Sequence, residues 1–211
     1  MIKVEKLVVG QLATNCYLVW CSETKEAIII DPGDAADYII QNIKDLQLKP
    51  NLIVATHGHV DHILAVIDLK LVLQIPFFIH QEDLFLIKRI KSSARYWFGL
   101  ESGPVPEVDQ FIDSDDLIKF GKEKLKVIKT PGHSPGGVSF YDRGVLFSGD
   151  TLFRQGVGRY DFSYASKEQL NKSIKKLLKL PPETIVYPGH GSETTIGDEK
   201  FGSDLLFSSV F

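Results

Sequence analysis

Residues 51–63 read NLIVATHGHVDHI. The first six, NLIVAT, form the continuously apolar run expected of a strand buried on both faces. Where that run ends, His57, His59, Asp61 and His62 follow within six positions, so half of the chain's six histidines stand at one strand end. The next run, ILAVIDLKLVL, reads as a helix. The single-residue gap between His57 and His59 turns both imidazoles to the same side of an extended or turning backbone, where two nitrogens can converge on one cation. Asp61 and His62 follow as the chain bends into the helix and can serve a second. Imidazole and carboxylate together suit borderline divalent ions such as Zn(II), Fe(II) or Mn(II). The competing reading is a solvated loop ahead of a helix, and this segment alone leaves both open.

The same strand-to-loop grammar runs through the chain. IKVEKLVVG, NCYLVW and EAIIID read as opening strands. In DPGDAADYIIQNIKDLQL, Asp34 is placed to cap a helix that carries Tyr38, Ile39, Ile43 and Leu46 at helical spacing. PFFIH reads as a short strand and QEDLFLIKRI as a helix. Further on, DLIKFG, EKLKVIKT, GGVSFYD and GVLFSGD are strands, with YDRG a hairpin connection. SKEQLNKSIKKLLKL is a helix capped by Ser166 and stopped by Pro181 and Pro182, followed by the strand ETIVY and the loop PGHGSETTIGD. Two halves of this kind predict two packed sheets with helices outside. No linker divides them, so one domain over 1–211 is expected. Residues 91–108, KSSARYWFGLESGPVPEV, read as a long loop. Such loops are often lids or binding loops, which makes Tyr96 and Trp97 candidate substrate contacts. The alternative is a packed surface loop with its aromatics turned inward.

With 44% hydrophobic and 24% charged residues, the 211-residue chain is neither disordered nor fibrous, and its net charge of -3 provides no basic footprint for nucleic acid. No run reaches the roughly 18–20 apolar residues that span a bilayer, and the N-terminus lacks a signal-peptide pattern. A cytoplasmic protein with no membrane or nucleic-acid partner is expected. Cys16 and Cys21, five positions apart on one strand, point to opposite faces and are read as packing residues rather than a disulfide.

Three more positions share the setting of the opening cluster: His133 in TPGHSPGG, Asp150 in FSGDTLF and His190 in YPGHGSETT. Each lies where a strand gives way to a glycine-bearing loop, a place where side chains are held rigidly yet exposed. Singly they are weak signals, because an aspartate after a strand is usually a turn former. Together with the first four they make five histidines and two carboxylates, the number of ligands a two-metal site needs. His80, at the end of PFFIH, remains as a structural or surface residue.

In this order THGHVDH, PGHSPGG, GDTLF and PGHGSETTIG resemble the motif set of the metallo-β-lactamase superfamily, and within it the glyoxalase II-like (hydroxyacylglutathione hydrolase-like) single-domain branch. The resemblance runs from NCYLV and IIIDPG to TTIGDEK. It implies an α/β (α+β) fold, a four-layer αββα sandwich, with two divalent ions at one edge, zinc foremost and Fe(II) or Mn(II) as alternatives. By match to the motifs, His57, His59 and His133 would hold one ion, Asp61, His62 and His190 the other, and Asp150 would bridge them. Asp31, in IIIDPG, would support the ligands from behind; its other reading is a turn residue before Pro32. The implied activity is hydrolysis of a small thioester or ester by a metal-bridging hydroxide, with Asp61 and Asp150 as the catalytic carboxylates.

Substrate choice is less sharply drawn. Two-domain glyoxalase II enzymes add a C-terminal helical domain that contacts glutathione; a sequence ending at Phe211 is read as lacking it. In GDTLFRQGVGRYDF, Arg159 stands where the family commonly has lysine and Asp161 where it has tyrosine, both used on glutathione. Arg159 is therefore either a partner for a substrate carboxylate or a surface charge paired with Asp161. GRYDF is also similar to persulfide dioxygenases, which hold one Fe(II) with two histidines and an aspartate. That activity is the alternative, with a lactonase or promiscuous β-lactamase as a third. The complete second ligand set and the TTIGDEK ending favour the hydrolase. Its expected partner is a small acyl thioester or ester; the oligomeric state is not legible.

Overall fold

Six strands form the first sheet in sequence order: β1 (Ile2–Val9), β2 (Thr14–Cys21), β3 (Glu26–Ile30), β4 (Lys49–Val54), β5 (Phe77–Ile79) and β6 (Gln110–Phe111). The first three pair antiparallel and the rest parallel. Parallel neighbours need crossovers, and these carry the helices: α1 (Ala36–Asp45), α2 (Val60–Ile63) and α3 (Val66–Leu73), then a 3-10 turn at Gln81–Asp83, α4 (Leu84–Lys88) and α5 (Ile90–Phe98). The second sheet holds β7 (Leu117–Phe120), β8 (Glu123–Lys129), β9 (Val138–Asp142) and β10 (Val145–Gly149). A ribbon of β11 (Leu152–Phe153) and β12 (Gly156–Val157) and the helix α6 (Lys167–Leu177) precede its last strands, β13 (Ile185–Pro188) and β14 (Thr194–Thr195). Its spatial order is β14-β13-β10-β9-β8-β7. This structure is a computed structural model and describes residues 1–200; residues 201–211 of the expected 1–211 domain lie outside the described residues.

Alternation along the central strands produces four layers. On β2, Cys16 and Leu18 join the core beneath α1, α3 and α5, while Tyr17, Val19 and Cys21 enter the core between the sheets. Ala27 and Ile29 of β3 face the helices, and Ile28 and Ile30 face the second sheet's Phe120, Leu125, Val127, Phe140 and Phe147. The second sheet turns Leu146 and Val186 onto Leu170, Ile174 and Leu177 of α6. The order helix, sheet, sheet, helix is thus written in period-two burial, and the two cysteines are free, buried and in different layers.

Three local expectations are corrected. Asp34 does not cap α1: Ala35 takes the N-cap position at φ 54° with no side-chain cap, and Asp34 Oδ1 accepts from the Ala35 N–H instead. The run ILAVIDLKLVL is broken into α2 and α3 where the Ala65 N–H bonds to Pro32 O, 3.1 Å away. Residues 91–98, expected in a loop, belong to α5, which buries Ile90 and Ala94 and ends at Gly99 in the left-handed conformation (φ 65°). The aromatics and serines of that segment are indifferent helix formers, and burial of one face overrides them. Ser166 caps α6 as expected, accepting from the Gln169 N–H at 3.3 Å. Among the described residues no helix is long and apolar enough to cross a membrane.

Candidate metal centre

The seven polar side chains singled out in the sequence meet at one edge of the sandwich. His57 and His59 follow β4, Asp61 and His62 lie in α2, and His133, Asp150 and His190 follow β8, β10 and β13. Both sheets fix the last of these loops. Asn15 of β2 donates its Nδ2 to Pro188 O (2.9 Å) and Gly191 O (3.0 Å), and the Tyr17 hydroxyl donates to Pro188 O at 2.6 Å. Gly189 is required beside His190, since a Cβ there would come within 2.1 Å of Asp150 Oδ1.

The donors form two groups. His57 Nε2 and His133 Nε2 lie 3.0 and 2.9 Å from His59 Nδ1. Asp61 Oδ2 lies 3.3 Å from His190 Nε2 and 3.4 Å from His62 Nε2. Asp150 stands between the groups: Oδ2 is 3.4 Å from His133 Nε2 and 3.6 Å from His190 Nε2, and Oδ1 is 3.5 Å from His62 Nε2.

Every one of the five imidazoles is held from its other nitrogen. His62 Nδ1 bonds to Asp31 Oδ2 (3.0 Å), His57 Nδ1 to Thr56 Oγ1 (3.1 Å), His133 Nδ1 to Arg159 O (2.8 Å), His190 Nδ1 to Leu12 O (3.1 Å) and His59 Nε2 to the Tyr164 hydroxyl (2.8 Å). This is the pattern by which metal-binding histidines are oriented and their tautomers fixed. Asp31 also neighbours His57 and His62, but its oxygens already accept from the Thr56 N–H (2.6 Å), Thr56 Oγ1 (2.7 Å) and His62. Its place is behind the donors.

Charge differs between the groups. Burial, reinforced by the surrounding imidazoles, keeps His57 well below the ordinary histidine pKa and pushes His59 down to about 3, so both present neutral lone pairs. Burial opposes protonation of His62 too, but Asp61, Asp150 and Asp31 outweigh it and raise that pKa to about 10. His190 is raised in the same way, with burial overcome by Asp61 and Asp150. Asp61 is held below the usual carboxylate range because His62 and His190 outweigh its burial. Within this cluster His62 Nε2 and Asp150 Oδ1 are buried without any hydrogen-bond partner. Buried orphans of that kind are rare and costly, and a cation between them satisfies both. The donors present fit two divalent ions, one against three histidines and one against two histidines and Asp61.

Two supporting residues carry no signal in the sequence pattern. Asp83, in the 3-10 turn, is fully buried and ties two histidine loops together: Oδ2 accepts from the Gly58 N–H (2.9 Å) and Ser134 Oγ (2.7 Å), and Oδ1 from the Gly136 N–H (2.6 Å). Tyr164 backs His59 from a position 105 residues away. His80, as expected, is structural: it is buried and its Nδ1 accepts from the Glu82 N–H at 3.2 Å.

Above the donors lies a cavity of about 290 Å³. Trp97 lines it; Tyr96, 79% exposed, does not and packs edge-on against Trp97 instead. Arg159 reaches the rim with its guanidinium forked onto Asp161 (Nε to Oδ1 3.0 Å, Nη2 to Oδ2 2.9 Å) and 4.7 Å from the Phe162 ring. Of the substrate contacts expected, Trp97 is in place, Arg159 is engaged by its neighbour and Tyr96 faces solvent.

Comparison with known proteins finds the same arrangement of chain. The profile of the metallo-beta-lactamase superfamily matches residues 9–190. The hydroxyacylglutathione hydrolase GloC of Haemophilus influenzae is 36% identical over 97% of this chain and 98% of its own. The crystal structure of the BLEG-1 B3 metallo-beta-lactamase superposes with a TM-score of 0.87 at 36% identity, covering 95% of this chain and 97% of that one. TTHA1623, crystallised in a di-iron-bound form, gives 0.86 at 41% identity over 93% and 97%.

Proposed function

Because the chain belongs to the metallo-β-lactamase superfamily, we propose that it is a dinuclear metallo-hydrolase that cleaves a small acyl thioester or ester in the cytoplasm. The observation that carries this reading is the position of Asp150, whose two oxygens face His133 and His190 on one side and His62 on the other. His57, His59 and His133 would hold one ion and Asp61, His62 and His190 the second, with Asp150 placed within reach of both groups. When bound, two such ions supply Lewis acidity toward a carbonyl and bring the pKa of water toward neutrality.

The chain's own residues do the rest. Asp61 stays ionised and is held by the Thr14 hydroxyl at 3.3 Å, so it is the acceptor that orients the attacking water. His57 and His59, neutral throughout the physiological range, stay available as donors without first losing a proton. Phe153, Val157 and Phe162 give the cavity an apolar lining beside the donors.

Zinc is the ion we favour, with Fe(II) or Mn(II) as alternatives. The test is metal quantification on the purified protein together with a panel of thioesters, esters, a lactone and a β-lactam, with oxygen consumption followed in parallel. Two divalent ions per chain and hydrolysis abolished by His59→Ala are expected. One iron per chain with oxygen uptake on a glutathione persulfide overturns the hydrolase reading in favour of a dioxygenase, and lactam cleavage above all thioesters moves the substrate class.

A further inference from the structure

The cavity over the metal centre has a one-sided chemistry. Its lining away from the donors is mostly apolar, with Leu86, Trp97, Phe98, Phe153, Val157 and Phe162 beside the hydroxyls of Ser93 and Tyr164. Among the described residues Arg159 is the only Lys or Arg in the lining. That cation is already forked onto Asp161 and lies against the Phe162 ring. A substrate carboxylate arriving there meets a pair whose charges cancel. A free carboxylate buried against these apolar walls is expensive, whereas each methylene buried there is favourable.

We propose that the substrate presents a neutral, apolar acyl group to this cavity, a medium-length alkanoyl or an aryl-acyl chain. The inference rests on the hydrolase reading and narrows it. The volume of about 290 Å³ is near the lower end of ordinary ligand pockets and fits one such chain. In the reaction water adds its oxygen to the acyl carbon, the carbon–sulfur bond breaks, and the thiolate leaves with the electron pair and is protonated. The acid product releases a proton to solvent.

The test is a chain-length series of acyl thioesters on N-acetylcysteamine, a small uncharged thiol, compared with the same series ending in a carboxylate and with S-lactoylglutathione. On the metal-replete protein, kcat/KM rises about fourfold per methylene from acetyl to hexanoyl, the value of burying one CH₂. It falls by about a hundredfold when the chain ends in a carboxylate. Trp97→Ala and Phe162→Ala flatten the rise. A flat or falling series, a rise that both variants leave intact, or S-lactoylglutathione as the best substrate overturns the inference and leaves the hydrolase reading standing.

Binding supplies a second readout. In metal-free protein carrying Trp20→Phe, the hexanoyl amide analogue, with N–H in place of sulfur, shifts Trp97 fluorescence at concentrations where glutathione does not. If no thioester, ester, lactone or lactam is cleaved while the amide still shifts Trp97, the hydrolase reading fails and the apolar character of the cavity stands. If glutathione shifts Trp97 and the amide does not, the inference fails by this measure too.

Discussion

Asp31 Oδ2 accepts a hydrogen bond from His62 Nδ1 at 3.0 Å, and the same oxygen accepts from the Thr56 hydroxyl at 2.7 Å, whose own oxygen lies 3.1 Å from His57 Nδ1. One buried carboxylate thereby backs a donor of each proposed ion, directly on one side and through a hydroxyl on the other. The residue pays for this position with φ 52°, a region non-glycine residues seldom occupy. Strain of that kind persists where surrounding contacts over-determine it.

Asp31→Asn replaces an acceptor with an N–H₂ facing donors. Metal affinity at both positions is expected to fall about 10- to 100-fold, the usual effect of losing such a partner. Tyr164→Phe, which removes the hydroxyl bonded to His59 Nε2 and keeps the ring, should weaken one position alone. Competition titrations against a chelator resolve the two ions; equal effects of both substitutions on both sites would contradict the relay.

Asp83 holds the His57–His59 loop against the His133 loop through three partners, and two of them, the Gly58 and Gly136 N–H groups, can only donate, one to each carboxylate oxygen. Asp83→Asn therefore leaves at least one buried donor unmatched, at roughly 1–3 kcal/mol. A clear loss of thermal stability in the metal-free protein is the expected result, together with weaker binding at the three-histidine position. Unchanged melting would show that the two loops are held by packing alone.

Removing a donor from one group should leave the other group a site. His190→Ala is expected to retain one ion per chain, bound by His57, His59 and His133, with kcat reduced at least about a hundredfold because two-ion polarisation is lost. Asp150→Ala should weaken both positions, since its oxygens face both groups. Metal content after gel filtration distinguishes the two variants, and equal stoichiometry in both would contradict the shared role.

Two packed sheets with helices outside and the seven candidate donors were legible in the sequence because each depends on local pattern; the four-layer sandwich and the division of the donors between two ions were implied by the motif resemblance. Continuously apolar runs identify β2, β3 and β4, and strand ends followed by histidine or aspartate carry the candidate ligands. What was not legible depends on distant contacts. Asp83 sits in a short turn with no periodicity, and its partners are 25 to 53 positions away. Tyr164 meets His59 across 105 positions. The helix Ile90–Phe98 is stabilised by burial of Ile90 and Ala94 rather than by propensity, so its aromatics read as loop residues; Tyr96, a candidate substrate contact, is exposed and outside the cavity lining. Of the two partners read for Arg159, a substrate carboxylate or Asp161, the structure shows the bonds to Asp161.

Stability against pH follows from the opposed histidines. Burial and neighbouring imidazoles hold His57 well below its ordinary value and His59 at about 3, while both titrate near 6.5 in an unfolded chain. As pH falls below about 6.5 the unfolded chain takes up protons that the metal-free folded protein does not. Each residue then removes up to about 1.4 kcal/mol of stability per pH unit. His62 acts in reverse: with a folded value near 10, its contribution is complete below about 6.5 and is lost as pH rises toward 10. The metal-free protein should accordingly melt highest near pH 6.5 and lose stability on both sides, more steeply toward acid. Saturating zinc requires His62 to be deprotonated, so it should remove the alkaline fall and move the optimum upward. Melting temperature against pH, with chelator and with zinc, checks both limbs; a zinc-bound optimum at or below the metal-free one would contradict the assignment of His62 as a ligand.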